Sequence, residues 1–383
     1  MRTTAIRFAI AALAVGFFVT PIALRAVGVT AESFENRRLA AAPRLSQGWD
    51  AFDQTTRFLT DRMPLRAQAV RANTTIWTDI FATVPRYDSR QEEALPFARA
   101  IEQHGRDTRA RQNADLRGPA TASTGSDGWL YVPEEFSFAC SKKMSNARLL
   151  QRWGRLVRGV RASGRQAALF VVPHKASVYP EHLPEKYPFD HCALEAKERL
   201  WRTLAKDGPA LGVLELRSEL LRLKADAGDR LFQRKDMHWT TLGALVLVDA
   251  ALDALGDGVR LDRSEIVGRG SERYTGDLSI VGGRPETDTR MEYDVVRPLS
   301  APRVPGRTLL VCDSFAYRWL RLFKPYFEDV RYISWYEDDR KILAAIRRSD
   351  RVIIEANELL LKGQATDGQH AMSVARELAR PGS

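Results

Sequence analysis

Ala167-Ala168-Leu169-Phe170-Val171-Val172-Pro173 is a continuous apolar run closed by a proline. A strand with one wet face alternates apolar and polar residues. An unbroken run instead marks a strand covered on both faces, the habit of parallel sheets. Working outward, residues 147–162 have the spacing of an amphipathic helix. Helices are expected again near 194–205 and 218–225, with a strand over 211–216 between them. A helix over 241–255 follows, with Thr240 or Thr241 as its cap. Residues 256–304 read as irregular, Gly-rich and charged. Beyond them a strand at 308–312, a helix at 317–323, a strand at 330–335, a helix at 338–347 and a strand at 352–356 continue the alternation. The tail after Lys362 is polar, with a short helix over 371–379. Strands alternating with helices predict an α/β fold with a doubly wound parallel sheet. Its site is expected at the C-terminal ends of the strands. No internal repeat is found.

Two short segments carry the chemistry. Asp236-Met237-His238-Trp239 lies in a polar loop, and Leu309-Leu310-Val311-Cys312-Asp313-Ser314-Phe315 runs out of a strand. Ser314 therefore falls on a strand-to-helix turn, where a hydroxyl is exposed and backbone N–H groups face a developing oxyanion. A serine hydroxyl is a weak nucleophile and needs a base in hydrogen-bond reach. His238 is the best placed of the six histidines. His104, His182, His191 and His370 lie in polar stretches without a suitably spaced carboxylate, and His174 sits before Lys175 at a strand end. Asp236, two residues before His238, would fix its tautomer and stabilise the imidazolium. The Ser314 N–H is the first oxyanion donor expected. Lys175 and Asn357, each just past a strand end, are both candidates for the second. No HExxH, no CxxC and no phosphate loop is found (Gly282-Gly283 does not make one), so no metal or cofactor is expected.

The first residues read as an address. Arg2 and Arg7 precede an apolar run over 8–24. At ~1.5 Å per residue it spans about 25 Å, slightly short of the ~30 Å hydrocarbon core. It is either an export signal cleaved near Val29-Thr30-Ala31 or a short uncleaved anchor. The arginine-rich start holds the N-terminus in the cytoplasm and places the rest outside. Residues 49–73 have a rough helical spacing broken at Pro64. Residues 96–125 are polar and Arg/Gln/Ala-rich, a surface insertion or link. The formal charge of +10 reads either as a solvated basic surface or as attraction to an acidic polymer or anionic lipid. No nucleic-acid motif accompanies it, so no nucleic-acid partner is expected. Three cysteines exclude a disulfide scaffold. Cys140 and Cys192 flank the first strand and could form one bridge outside the cytoplasm, while Cys312 reads as a buried free thiol. The expected organisation is a signal or anchor over 1–31, a helical or irregular segment over 32–125, a catalytic domain over 126–362 and a tail over 363–383.

The Asp236-Met237-His238-Trp239 segment followed by Asp313-Ser314-Phe315 resembles the AlgJ/AlgX group of SGNH-hydrolase-like proteins. These are the alginate O-acetyltransferases and their relatives in other exopolysaccharide systems. Glu35-Asn36-Arg37, Phe58 with Asp61, Pro64 and Arg66, Asp127-Gly128-Trp129-Leu130, Val172-Pro173-His174-Lys175, Tyr179-Pro180-Glu181 and Gly276-Asp277-Leu278 resemble that group in the same order. The resemblance implies a three-layer α/β/α fold with the Asp-x-His segment before the serine, a permuted order relative to ordinary SGNH esterases. It implies Ser314 as nucleophile, His238 as base and Asp236 as its partner. It further implies a periplasmic enzyme that moves acetyl groups onto polysaccharide hydroxyls, with a membrane-bound O-acyltransferase delivering the acetyl groups. Cys312 departs from the pattern, standing where many esterases of the wider superfamily carry glycine. Two rivals remain on sequence alone: an acetyl esterase with the same triad, and a non-catalytic polysaccharide-binding scaffold.

Overall fold

The computed structural model describes residues 122–380, except 142–143, 188, 227 and 282–285, together with isolated positions before residue 59. The expected export segment and the features over 32–121 lie outside the described residues, apart from those isolated positions. Among the described residues no helix is long and apolar enough to cross a membrane. Contacts divide the chain into two units, and the one described here comprises Tyr87–Ser279 and Glu286–Ser383.

A small antiparallel pair opens it, β1 (Ser123–Thr124) and β2 (Leu130–Tyr131), followed by α1 (Glu134–Cys140) and α2 (Asn146–Ala162). The apolar run over 167–172 lies in β3 (Gln166–Val172), and every residue of that strand after Gln166 is buried. Next come α3 (Ala193–Asp207), β4 (Val213–Glu215), α4 (Arg217–Asp226) and α5 (Thr241–Leu255). Residues 256–304 are not irregular throughout. They hold β5 (Ile266–Thr275), α6 (Asp277–Val281) and β6 (Thr287–Val295), with β5 and β6 paired antiparallel as a separate ribbon. No apolar alternation marks this ribbon because β5 is mostly exposed. Polar cross-strand partners hold it instead, such as Glu272 with Arg290 and Tyr274 with Asp288.

β7 (Val304–Cys312) leads into two short helices, α7 (Ser314–Tyr317) and α8 (Leu320–Phe323), where the sequence suggested one. The break falls at Arg318 and Trp319. Then follow β8 (Phe327–Ser334), α9 (Asp339–Arg347), β9 (Arg351–Asn357), α10 (Glu358–Gln364) and α11 (His370–Leu378). Five strands form one all-parallel sheet in the order β4-β3-β9-β7-β8.

Alternate residues of the central strands enter two different cores, which is why their sequences are apolar without a break. Ala168, Phe170 and Val172 of β3, with Leu310 of β7 and Ile353 of β9, pack on the α5 side. Leu169 and Val171, with Val311 and Ile354, pack against α2, α3, α9 and α11. The tail therefore belongs to the domain, since Val374 and Leu378 of α11 are buried in that second core. Cys140 at the end of α1 and Cys192 before α3 are joined as a disulfide, with Cα atoms 5.8 Å apart. Cys312 is a buried free thiol.

Candidate active site

The site forms where β7, β9 and β3 end, as open parallel sheets dictate. β7 stops at Cys312. Asp313 caps α7 by accepting the Phe315 N–H at 2.8 Å, so Ser314 is the first residue of the helix. The Asp-x-His segment reaches this turn from the loop before α5. A two-residue bridge between Phe232 and Trp239 closes that loop, and Thr240 caps α5. Trp239 then donates its indole N–H to the Phe315 carbonyl at 2.8 Å, which ties the two segments together.

Three side chains line up in consequence. Ser314 Oγ lies 2.8 Å from His238 Nε2, and His238 Nδ1 lies 2.7 Å from Asp236 Oδ1. The same carboxylate oxygen accepts the His238 backbone N–H at 2.9 Å, so the pair is rigid. Asp236 and His238 are buried, whereas Ser314 is partly exposed. This is the relay that nucleophilic attack needs: a hydroxyl, a base on it, and a carboxylate on the far ring nitrogen.

The sequence reading assigned no role to a second carboxylate. Asp277 Oδ2 sits 3.3 Å from His238 Nδ1. Its other oxygen accepts the Met237 N–H at 2.8 Å, and its own N–H donates to Asp236 Oδ2. Gly276 makes this approach possible, since a Cβ there would lie 2.1 Å from the Lys235 carbonyl oxygen.

Burial by itself would lower the His238 pKa. The Asp236 and Asp277 carboxylates outweigh it and raise the imidazole to about 9. The imidazolium in turn holds Asp236 well below the usual carboxylate range, against the effect of its own burial. His238 must be neutral to act as base, so turnover should rise with pH toward 9. Asp277→Asn removes a negative charge from Nδ1 and lowers the His238 pKa. The pH–rate profile for hydrolysis of a chromogenic acetate ester is expected to move to lower pH. An unmoved profile would show that Asp277 does not tune the base.

Asp236, His238 and Asp277 are also the group of donor atoms able to converge on a cation among the described residues. Both ring nitrogens of His238 are already committed, one to Ser314 and one to Asp236. A metal would have to break the relay to bind there.

The two candidates for the second oxyanion donor have their side chains engaged elsewhere. Buried Lys175 donates to the carbonyls of Leu130 at 2.7 Å and Arg234 at 3.1 Å, clamping the Asp-x-His loop to β2. Burial lowers its pKa to about 7. Asn357 donates to Asp313 Oδ2 at 2.6 Å and accepts the Leu360 N–H as the cap of α10. Both side chains shape the site rather than pointing a donor into it.

Behind Ser314 lies a further pair of acids. Glu355 is fully buried in β9, accepts the Asp313 N–H at 3.0 Å and hydrogen-bonds the Asp313 carboxyl. Burial raises both acids, Glu355 well above its ordinary value. At the mouth, the exposed Arg318 places Nη1 3.5 Å from His238 Nδ1.

Residues 122–309 match the family described as SGNH hydrolase-like domain, acetyltransferase AlgX. The match includes Asp236, His238 and Asp277 and ends five residues before Ser314 (314 less 309). The chain is 35% identical over 126 residues to the probable alginate O-acetylase AlgJ of Pseudomonas aeruginosa, covering 31% of this chain and 29% of that protein. It is 31% identical over 169 residues to the Pseudomonas fluorescens AlgJ, covering 41% and 40%. The chain thus spans less than half the length of the curated relatives it matches. Among solved structures it is similar to the O-acetyltransferase domain of Pseudomonas putida AlgJ, with a TM-score of 0.46 and 22% identity over 67% of this chain and 99% of that one. The fold is the SGNH hydrolase-like α/β type, a central parallel sheet with helices on both faces.

Proposed function

We propose that this chain, whose residues 122–309 match the family described as SGNH hydrolase-like domain, acetyltransferase AlgX, is a periplasmic O-acetyltransferase. It moves acetyl groups onto hydroxyls of an exopolysaccharide through an acyl-serine. The observation that carries this reading is the continuous relay from Ser314 Oγ through His238 to Asp236. The relatives' names, which refer to alginate O-acetylation, support a polysaccharide acceptor.

In the first half-reaction His238 Nε2 takes the Ser314 proton as Oγ attacks the acetyl carbonyl. The oxyanion forms beside the start of α7, with the Ser314 N–H as its first donor. Collapse breaks the bond to the donor's oxygen, which leaves with the proton held on Nε2. In the second half-reaction a sugar hydroxyl gives its proton to Nε2 and attacks the acetyl-serine, releasing Oγ, which is reprotonated. Asp236 holds the imidazole in the tautomer that presents a lone pair to Ser314. The acetyl groups are delivered by a membrane-bound O-acyltransferase. The Cys140–Cys192 bridge suits an oxidising compartment outside the cytoplasm, and the apolar run over 8–24 would take the chain there.

Mass spectrometry after incubation with a chromogenic acetate ester tests the core of this. An acetyl group is expected on the peptide carrying Ser314 and none in His238→Ala. Turnover of the ester with Ser314 never modified would sink the acyl-serine route. Free acetate as the sole product in the presence of acceptor oligosaccharide would make the protein an esterase.

A further inference from the structure

A buried charged cluster lies beside the site and takes no part in the reaction. Glu135 of α1, Lys197 of α3 and Glu358 at the start of α10 are all buried. Lys197 Nζ lies 2.9 Å from Glu358 Oε1 and 3.1 Å from Glu135 Oε2. Burial alone would raise the Glu135 pKa and lower that of Lys197. Lys197 and His174 instead hold Glu135 at about 2, and the two acids raise Lys197 above its ordinary value. Taking three charges out of water is costly, and apolar residues would fill the same space at less expense. The cluster therefore calls for a reason other than packing.

Glu358 sits where two strand ends meet. Its Oε2 accepts the His174 N–H at 2.9 Å, just past the end of β3. The Ser177 hydroxyl lies 2.9 and 2.7 Å from its two oxygens and accepts the Trp201 indole N–H at 3.2 Å. Glu358 directly follows Asn357, the last residue of β9. One carboxylate thus ties the end of β3 to the end of β9, and β9 also neighbours β7, from which the nucleophile turn emerges.

Both strand ends reach the relay. Asn357 donates to Asp313 Oδ2 at 2.6 Å, and Asp313 is the residue before Ser314. The His174 ring lies 5.6 Å from the ring of Phe315, the residue after Ser314. The Phe315 ring in turn lies 4.9 Å from the His238 ring and 5.9 Å from the Trp239 indole. His174 is flanked by the cluster as well, with Nδ1 3.4 Å from Glu135 Oε1. The short helix that supplies Glu135 is fixed by the Cys140–Cys192 bridge and by Lys362 Nζ on the carbonyls of Phe138, Ala139 and Ser141.

We infer that Glu358 is a positioning residue of this site, holding Asp313 through Asn357 and Phe315 through His174 and so setting the reach of Ser314 to His238. It touches none of the reacting atoms. The inference rests on the reading of Ser314 as nucleophile and His238 as its base.

The experiment compares Glu358→Ala and Glu358→Gln with the parent, each as the full chain. One readout is hydrolysis of a chromogenic acetate ester. The other is the ring-proton NMR signal of His238, assigned by its loss in His238→Ala. Glu358→Ala is expected to lower kcat by about tenfold to 100-fold with KM within about twofold, since a misplaced nucleophile costs rate rather than ester binding. It should also move the His238 signal. Glu358→Gln keeps an acceptor for the His174 N–H and leaves Lys197 to Glu135, so kcat should stay within about threefold of the parent. A purely structural role would lower the unfolding midpoint and leave both readouts of the folded protein in place. Where Glu358→Ala does not fold, His174→Ala decides. It keeps the N–H on Glu358, removes the ring beside Phe315, and should lower kcat and move the His238 signal in the same way. A folded alanine variant with either the kcat or the His238 signal of the parent overturns the inference. If the parent turns over no ester, the acyl-serine reading fails, and the His238 signal alone decides the positioning role.

Discussion

Ser314→Ala and His238→Ala should each lower hydrolysis of a chromogenic acetate ester by roughly 10³-fold to 10⁶-fold, and combining them should cost little more. The two groups act as one unit. Without Oγ there is no nucleophile, and without Nε2 at 2.8 Å there is no acceptor for its proton. The carboxylate side should behave differently. In a relay with one acid, the amide variant of that acid loses about 10⁴-fold because the imidazole is held in the wrong tautomer. Here Asp277 Oδ2 already lies 3.3 Å from the same ring nitrogen. Asp236→Asn alone is therefore expected to retain more activity than a single-acid relay would, and Asp236→Asn with Asp277→Asn to fall well below either single variant. Initial rates across a pH series for the four proteins check this. A double variant no worse than Asp236→Asn would mean that Asp277 does not share the load.

Much of this site was legible in the sequence because its parts sit in short segments with strong local causes. The β3 run is apolar on both faces because both faces are covered. Ser314 follows a strand and an N-cap residue, so its turn is a local matter. Other parts depend on chain pairing that no local pattern encodes. Asp277 joins His238 only because the β5–β6 ribbon brings Gly276 against the Lys235 backbone. Polar side chains hold that ribbon, and it carries no apolar period for a sequence reading to find. The break between α7 and α8 has no local signal, because Tyr317, Leu320 and Phe323 keep a helical spacing across it. One signal was present and unread. Glu355 is a carboxylate in the middle of a strand that is otherwise apolar, Val352-Ile353-Ile354 on one side and Ala356 on the other. A charged residue in a strand buried on both faces demands a partner.

The partner is Asp313, and its presence makes stability depend on pH in a predictable direction. Two buried carboxyls in hydrogen-bond contact cannot both ionise at neutral pH. Asp313 accepts from the Phe315 N–H and from the Asn357 amide, and the charge of His238 favours its ionised form. Glu355 is then the acid that keeps its proton. Its burial, and then the Asp313 charge facing it from β7, oppose its ionisation. In the unfolded chain Glu355 loses its proton above its ordinary value of 4.5. The folded state binds one more proton there, so stability declines as pH rises from 4.5 toward the raised folded value, by up to about 1.4 kcal/mol per pH unit. Glu355→Gln keeps the shape, an acceptor for the Asp313 N–H and a donor for its carboxylate, with no proton to take up. The stability of this variant relative to the parent should therefore grow steadily as pH rises above the ordinary glutamate value of 4.5, with ester turnover retained. Glu355→Ala leaves the Asp313 N–H and carboxylate without that partner. It should cost about 1–3 kcal/mol and lower kcat by loosening the turn that aims Ser314. Urea denaturation of the three proteins across the pH series is the measurement. A gap between Glu355→Gln and the parent that stays constant with pH would mean that Glu355 is ionised in the folded protein, and the acid pair would then have to be held by a countercharge rather than by a shared proton.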